Sequence, residues 1–146
     1  MRDSRELSYS ECEALLRAGV IGRVALSTPT GPQIVPLNYS VVDSNIIMRT
    51  SPYSVLGTYG RDATLAFEVD HFDHPDHRGW SVVARGRVEV VQDQAEIDRI
   101  RSVWEPRPWA SGSRTLFLRL RWTELTGRQL GSGWEPMRDL PYGRVV

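Results

Sequence analysis

Short stretches in which apolar and polar residues alternate dominate the chain, and this alternation is typical of β-strands with one buried face. In residues 21–28, IGRVALST, the apolar Val24 and Leu26 alternate with Arg23 and Ala25. Comparable stretches occupy residues 33–42, 45–50, 63–70, 81–91 and 115–122. Turn sequences rich in proline, glycine, asparagine and aspartate separate them. The pattern therefore predicts about six strands joined in hairpin order.

Two stretches have helical spacing instead. The first begins with a capping box made by Ser8 and Glu11 and ends near Gly19. The second begins at Asp93, and its apolar residues recur at helical spacing: Ile97, Ile100 and Trp104. Because strands dominate and the helices do not alternate with them, the pattern predicts a mainly β fold, a closed or split antiparallel barrel with helices attached.

Length and charge narrow the possible classes of protein. A chain of 146 residues fits one domain, 1–146, in which we expect residues 1–6 and 131–146 to be loosely ordered because they lack periodicity. Eighteen arginines balance eighteen acidic residues, so the sequence offers no basic surface to nucleic acid. No apolar run is long enough to span a membrane, and the start lacks a signal peptide. The expected location is the cytoplasm.

A cluster of polar residues begins at the end of the predicted strand 45–50 and continues past it. In IIMRTSPYS (46–54) Arg49 is followed by three short hydroxyl side chains: Thr50, Ser51 and Ser54. A guanidinium gives paired donors to phosphate oxygens, and short hydroxyls and turn amides add neutral donors. The cluster therefore suits a phosphate. The alternative is an ordinary surface arginine followed by an ordinary turn.

All three histidines lie in DHFDHPDHRG (70–79), interleaved with aspartates. His71, His74 and His77 are chemically suited to a divalent metal. Their spacing of three brings them together only on a helix, and Pro75 opposes a regular helix. We therefore expect an inter-strand loop and no metal site. The single cysteine, Cys12, can form no internal disulfide, and no histidine lies near it in the sequence to activate its thiol.

The order of several motifs resembles a known family. LSYSECEALL, GRVALST, VPLNYSV, IIMRTSPYS, LAFEVD and GWSVVARGRVEVV follow one another over residues 7–130. This succession is similar to the pyridoxamine-phosphate-oxidase-like, FMN-binding split-barrel proteins, in particular their short actinobacterial-type members. The resemblance implies a six-stranded antiparallel split β-barrel that forms a homodimer, with two cofactor sites at the subunit interface.

The resemblance also implies a cofactor and an activity. The cofactor is FMN, with the deazaflavin coenzyme as the alternative. The activity is that of an oxidoreductase acting on a small molecule, in which the cofactor carries the hydride chemistry. The alternative is a non-catalytic flavin-binding module of the same fold.

The family pattern assigns roles to individual residues. By resemblance, the phosphate is held by the cluster described above: Arg49, Thr50, Ser51 and Ser54. The flavin ring would run along Pro36, Leu37 and Asn38, and Ser81 would contact the cofactor from the long strand, with Trp80 as a wall of the pocket or, alternatively, a core residue. Many relatives carry a lysine after the serine, where this chain has Val55 and Leu56.

The last strand and the long strand 81–91 suggest how a dimer would form. The alternation in 115–122 places one apolar row on a single face: Leu116, Leu118, Leu120 and Trp122. Together with the β-branched run 82–91, this is more apolar strand surface than one small barrel needs to bury. We therefore expect these faces to form a two-fold interface between copies of the chain.

Overall fold

The computed structural model describes residues 4–104 and 114–131, which form seven strands and three helices. In chain order these are β1 (Ser4–Glu6), α1 (Tyr9–Ala18), β2 (Ile21–Thr28), β3 (Gly31–Val42), β4 (Asn45–Thr50), α2 (Val55–Tyr59), β5 (Thr64–Asp73), β6 (Arg78–Val90), α3 (Gln94–Trp104) and β7 (Leu116–Leu130). No helix in the described ranges is long and apolar enough to cross a membrane.

The strands form one antiparallel sheet that closes on itself. Their order is β1-β7-β4-β3-β2-β5-β6, and β6 pairs with β7 as well, which closes a six-stranded ring. The predicted mainly β split barrel is confirmed. Residues 4–6, expected to be loosely ordered, pair with Arg128 to Leu130 as β1. Residues 1–3 and 132–146 lie outside the described part of the chain.

The predicted alternation decides which side chains enter the barrel. Along β2 every second residue is buried, including Val24 and Leu26. Inside, the Tyr39 and Phe67 rings meet edge to face at a centroid distance of 4.8 Å. The Tyr39 hydroxyl donates to the Leu16 carbonyl at 2.5 Å, which fastens α1 against the barrel. The capping box predicted at the start of α1 is present.

The long strand β6 contains a β-bulge at Gly86. The β6–β7 register shifts between Arg85 and Gly86, which is the distortion a bulge produces. A Cβ atom at Gly86 would lie 1.9 Å from the Arg121 carbonyl oxygen. Only glycine lets the two strands approach this closely and close the ring.

The apolar faces of the last two strands do not form a surplus surface. Leu118, Leu120 and Trp122 of β7 are buried in the barrel interior, as are Val82 and Val88 of β6. The prediction that these faces form the dimer interface is therefore wrong. The physical reason is the pairing of β6 with β7, which turns both strands inward.

Helix α3 covers part of the outside of the barrel. The residues beneath it form a second apolar cluster: Val42, Ile47, Val91, Ile100 and Phe117. Phe117 of β7 points out of the barrel, and it is only 2% exposed because α3 packs over it. Asp93 accepts a bond from the Ala95 backbone at the start of this helix, as its position predicted.

Candidate functional site

The predicted phosphate arginine lies in a row of side chains on the outside of the barrel. Tyr39 of β3 is opposite Met48 of β4, and both are buried. Asn38 and Arg49 are the next residues along these two strands, just beyond the last paired residues, and alternation points both outward. Arg49 is also directly opposite Phe117 of β7. The sheet thus brings Asn38 and Arg49, two of the predicted cofactor residues, onto one surface.

The Arg49 guanidinium is held in a defined orientation. Its Nε and Nη2 atoms donate to the Arg114 carbonyl oxygen at 3.3 and 3.1 Å. Its carbon Cζ lies 4.9 Å from the centroid of the Phe117 ring. A cation fixed by a carbonyl and an aromatic ring needs little reordering to bind an anion, because its side-chain entropy is already reduced.

The hydroxyls of the cluster divide into two groups. Ser54 donates to the Ser51 carbonyl at 2.8 Å and accepts from the Gly57 amide at 2.9 Å, which caps α2. Thr50 lies 2.6 Å from the Ser54 oxygen, and because the single Ser54 proton is engaged, Thr50 is the donor of that bond. Neither hydroxyl has a proton left for a phosphate. In this conformation Thr50 and Ser54 shape the turn, and the phosphate role predicted for them stays a prediction.

Ser51 is the hydroxyl that remains suited to a ligand. Its oxygen accepts from the Tyr53 amide at 3.2 Å, so its own proton can be donated outward. The Tyr53 side chain on the same turn is 94% exposed. At the position where relatives carry a lysine, Val55 packs against the core and Leu56 is 2% exposed. The chain uses that position for packing rather than for charge.

Two of the residues predicted to contact the ring point into the barrel. Pro36 and Asn38 lie on the outer face, whereas Leu37 between them packs against the core. Trp80 is 1% exposed within the same core, and Ser81 after it faces outward. The Leu37 and Trp80 side chains belong to the core because neighbouring residues on a strand face opposite sides, and the pocket roles predicted for these two residues stay predictions.

Ser81 lies in a groove on the outside of the barrel. The groove has a volume of about 570 Å³, and its lining includes Ser81 and Val83 of β6, Thr126 and Arg128 of β7, and Glu6 of β1. The Arg128 side chain is 68% exposed and its Nη2 lies 4.0 Å from Glu6 Oε1. Arg128 was not among the predicted residues because the sequence pattern ended the last strand at residue 122.

The groove and the Arg49 surface are separate within one chain. Ser81 is opposite Asp70 of β5, and β2 and β3 lie between β5 and the Arg49 strand. Four inter-strand spacings amount to roughly 19 Å around the outside of the barrel. The predicted cofactor residues therefore form two half-sites, one around Arg49 and one around Ser81.

A cluster of charged residues lies between the half-sites. Arg23 of β2 reaches Glu68 Oε1 at 2.8 Å and Asp70 Oδ1 at 3.5 Å. Burial, together with the neighbouring Asp70, raises the pKa of Glu68 from 4.5 to about 7. Glu68 is opposite Val83, which lines the groove. A carboxyl that titrates near neutral pH thus lies next to the groove, and the sequence alone gave no sign of it.

The histidine segment is a hairpin. Strand β5 continues to Asp73 and β6 begins at Arg78, which leaves a tight turn instead of a long loop. Arg78 pairs with Asp73 at 3.6 Å and with Asp76 at 3.5 Å. Within residues 4–104 and 114–131, no three histidine, cysteine or acidic side chains are grouped as a metal would require. Burial raises the pKa of the Cys12 thiol to about 11, which disfavours its reactive form.

Known proteins are similar to this chain in sequence and in architecture. A family model described as pyridoxamine 5'-phosphate oxidase matches residues 8–129. An uncharacterized protein of Mycobacterium tuberculosis is 34% identical over 110 residues, which are 72% of this chain and 72% of that protein.

Several solved structures have a similar fold. The FAD binding protein from Mycobacterium smegmatis has a TM-score of 0.76 and 29% identity, over 88% of this chain and 100% of that chain. A FAD-binding protein from Mesorhizobium loti has a TM-score of 0.72 and 25% identity, over 86% of this chain and 97% of that chain.

Proposed function

The chain belongs to the pyridoxamine 5'-phosphate oxidase family, and from this premise we propose that it binds a flavin whose phosphate lies against Arg49 and Ser51. The observation that carries the proposal is the outer surface on which an oriented guanidinium, a serine with a donatable proton and Asn38 meet. The likeness to two FAD-binding proteins supports a flavin over other phosphorylated ligands.

The flavin ring would extend from this phosphate position along Pro36 and Asn38. Both FMN, the predicted cofactor, and the deazaflavin coenzyme carry a phosphate on the ribityl chain, so Arg49 and Ser51 suit either one. The outward faces of β2 and β3 carry further exposed apolar residues, including Ile34 at 71% and Ile21 at 40%. A flat apolar ring would cover part of this surface.

A second copy of the chain would complete the site. Roughly 19 Å separates Ser81 from Arg49 around the curved outside of the barrel, and we propose that these two half-sites of one chain serve different flavins. An isologous dimer would bring the Ser81 groove of one copy over the Arg49 surface of the other, twice. This arrangement would also cover the exposed apolar residues of β2 and β3.

The bound flavin would supply the electron and hydride chemistry, and the chain would bind it, orient it and exclude water. Arg128 beside Ser81 would hold negative charge at the ring, and Glu68, with its pKa near 7, would exchange a proton at neutral pH. We therefore propose an oxidoreductase acting on a small molecule. The second candidate is a flavin carrier, which is favoured by the tight ion pair that holds Glu68 against Arg23.

Flavin titration of the purified apoprotein tests the binding proposal. Loss of a hydrogen-bonded charge at a phosphate should weaken FMN binding about ten- to a hundredfold in Arg49→Gln. The matched control is Arg87→Gln, which removes an exposed arginine on the outside of β6 and should leave the Kd unchanged. Equal affinities of the wild type and Arg49→Gln would exclude the phosphate assignment. Reoxidation of the reduced, flavin-loaded protein by candidate acceptors separates the oxidoreductase from the carrier.

A further inference from the structure

A second, smaller pocket lies at the β5–β6 hairpin, beside the end of β7. It has a volume of about 240 Å³, and its lining consists of Phe72, Asp73, His74, His77, Arg78 and Leu130. We call it the hairpin pocket. Pockets for drug-sized ligands usually have volumes of about 300–1,000 Å³, so this pocket suits a smaller molecule with a single ring.

The floor of the hairpin pocket is apolar. Phe72 of β5 is opposite Gly79 of β6, and Gly79 is opposite Leu130 of β7, so the three residues form one row across the sheet. A Cβ atom added at Gly79 would collide with the Phe72 ring, which shows that the ring lies over this glycine. Phe72 and Leu130 are nevertheless 47% and 41% exposed. An aromatic ring stacked on Phe72 and touching Leu130 would remove apolar surface of both from water.

The rim of the hairpin pocket carries hydrogen-bonding groups. His74 and His77 are both exposed, and neither imidazole makes a hydrogen bond or an ion pair with the part of the chain that the structure describes. A neutral imidazole has one ring nitrogen that donates and one that accepts. A hydroxyl group can also donate and accept, so it can bond to either nitrogen of either ring.

The charge of the rim disfavours an anionic ligand. Arg78 pairs with Asp73 at 3.6 Å and with Asp76 at 3.5 Å. Two carboxylates against one guanidinium leave one net negative charge at the rim. This charge repels a carboxylate or a phosphate, whereas an uncharged ligand is not repelled.

We propose that the hairpin pocket binds an uncharged phenol, with its ring against Phe72 and Leu130 and its hydroxyl at the rim histidines. A phenol matches each part of the pocket: its ring fits the apolar floor, its hydroxyl suits the imidazoles, and it brings no charge to the acidic rim.

The hairpin pocket borders the groove that contains Ser81. Gly79 precedes Ser81 by two residues on β6, and Leu130 follows Arg128 by two residues on β7. Two residues along a strand amount to roughly 7 Å on the same face of the sheet. The phenol would therefore lie next to the proposed flavin position. The inference goes beyond the proposed flavin binding and does not depend on it, because one chain forms the whole pocket.

Titration of the ¹⁵N-labelled apoprotein with p-cresol, followed by NMR, tests the inference. The amide signals of Phe72, Gly79 and Leu130 should shift together, with a Kd of about 1 mM or below for a ligand of this size. Benzoate has the same ring and a negative charge, and should bind at least about fivefold more weakly. Phe72→Ala should weaken p-cresol binding about fivefold through loss of stacking. The matched control is Tyr59→Ala, which removes a ring that is 43% exposed on α2 and should leave the Kd unchanged.

The inference would be overturned if p-cresol did not bind, if it shifted signals only elsewhere in the chain, or if benzoate bound as tightly. The same Kd in Phe72→Ala as in the wild type would also contradict it. If Phe72→Ala folds poorly, a chain with both His74→Asn and His77→Asn gives a second measure. It should bind p-cresol about three- to tenfold more weakly, and an unchanged Kd would exclude the proposed hydroxyl contact. Because no flavin is present, these results are independent of the flavin titration.

Discussion

Replacing Glu68 by glutamine should change how the stability of the protein depends on pH. In the folded chain, burial and Asp70 raise the pKa of this carboxyl from 4.5 to about 7. Between these two values the unfolded chain loses the Glu68 proton while the folded chain keeps it. Protonated Glu68 therefore favours the folded state at low pH, and its contribution to stability falls as the pH rises through this window.

The size of the effect follows from the shift. A shift from 4.5 to about 7 corresponds to at most about 3 kcal/mol, since each pH unit is worth about 1.4 kcal/mol. The Glu68 side chain is 31% exposed and paired with Arg23, so solvent screening reduces the expected value to about 1–2 kcal/mol. Glutamine keeps the shape and cannot ionise, so this dependence should disappear in Glu68→Gln.

Urea denaturation at pH 5 and pH 8 measures how the free energy of unfolding depends on pH. The free energy of unfolding of the wild type should fall by about 1–2 kcal/mol more than that of Glu68→Gln between these pH values. All other titrating groups are common to both proteins and cancel in the comparison. If the two proteins show the same pH dependence, Glu68 is not held protonated near neutral pH and cannot serve as the proton donor beside the groove.

Further predictions concern the bulge, the turn and the hairpin. Gly86→Ala should lower the free energy of unfolding by about 1–3 kcal/mol, because the added Cβ would collide with the Arg121 carbonyl. Thermal denaturation would show this loss as a lower midpoint temperature. An unchanged midpoint would contradict the bulge. Ser54→Ala should cost about 1 kcal/mol through loss of the α2 cap and weaken FMN binding only indirectly, in proportion to its effect on the turn. Changing His74 and His77 to asparagine should shift stability by less than about 0.5 kcal/mol, and stoichiometric metal in the wild type by mass spectrometry would refute this.

Much of the fold could be predicted from local patterns. Alternation identified the six barrel strands, and the capping box identified the start of α1. Strand β1 was not predicted, because its three residues are all exposed and have no alternation. The burial of the apolar face of β7 in the barrel interior was also not predicted. Its burial depends on pairing with β6, and a pairing between distant segments leaves no local signal.

The site was predictable to the extent that it is local in sequence. Arg49 and Ser51 could be proposed from the sequence because they lie within three residues of each other at the end of one strand. The bonds of the Thr50 and Ser54 hydroxyls could not be predicted, because they depend on the conformation of the turn. The position of Arg128 in the groove could not be predicted, since strand register decides which distant side chains meet.

A flavin site formed by two copies of the chain can be tested directly by complementation between two defective chains. Arg49→Ala should abolish the phosphate half-site, and Ser81→Phe should block the groove, so neither variant alone should bind flavin tightly. A mixed dimer, isolated with two different affinity tags, has one site in which both defects are absent. The mixed dimer should therefore bind about one flavin at wild-type affinity. A mixed dimer that binds no flavin, or a monomer that binds it at full affinity, would contradict the account.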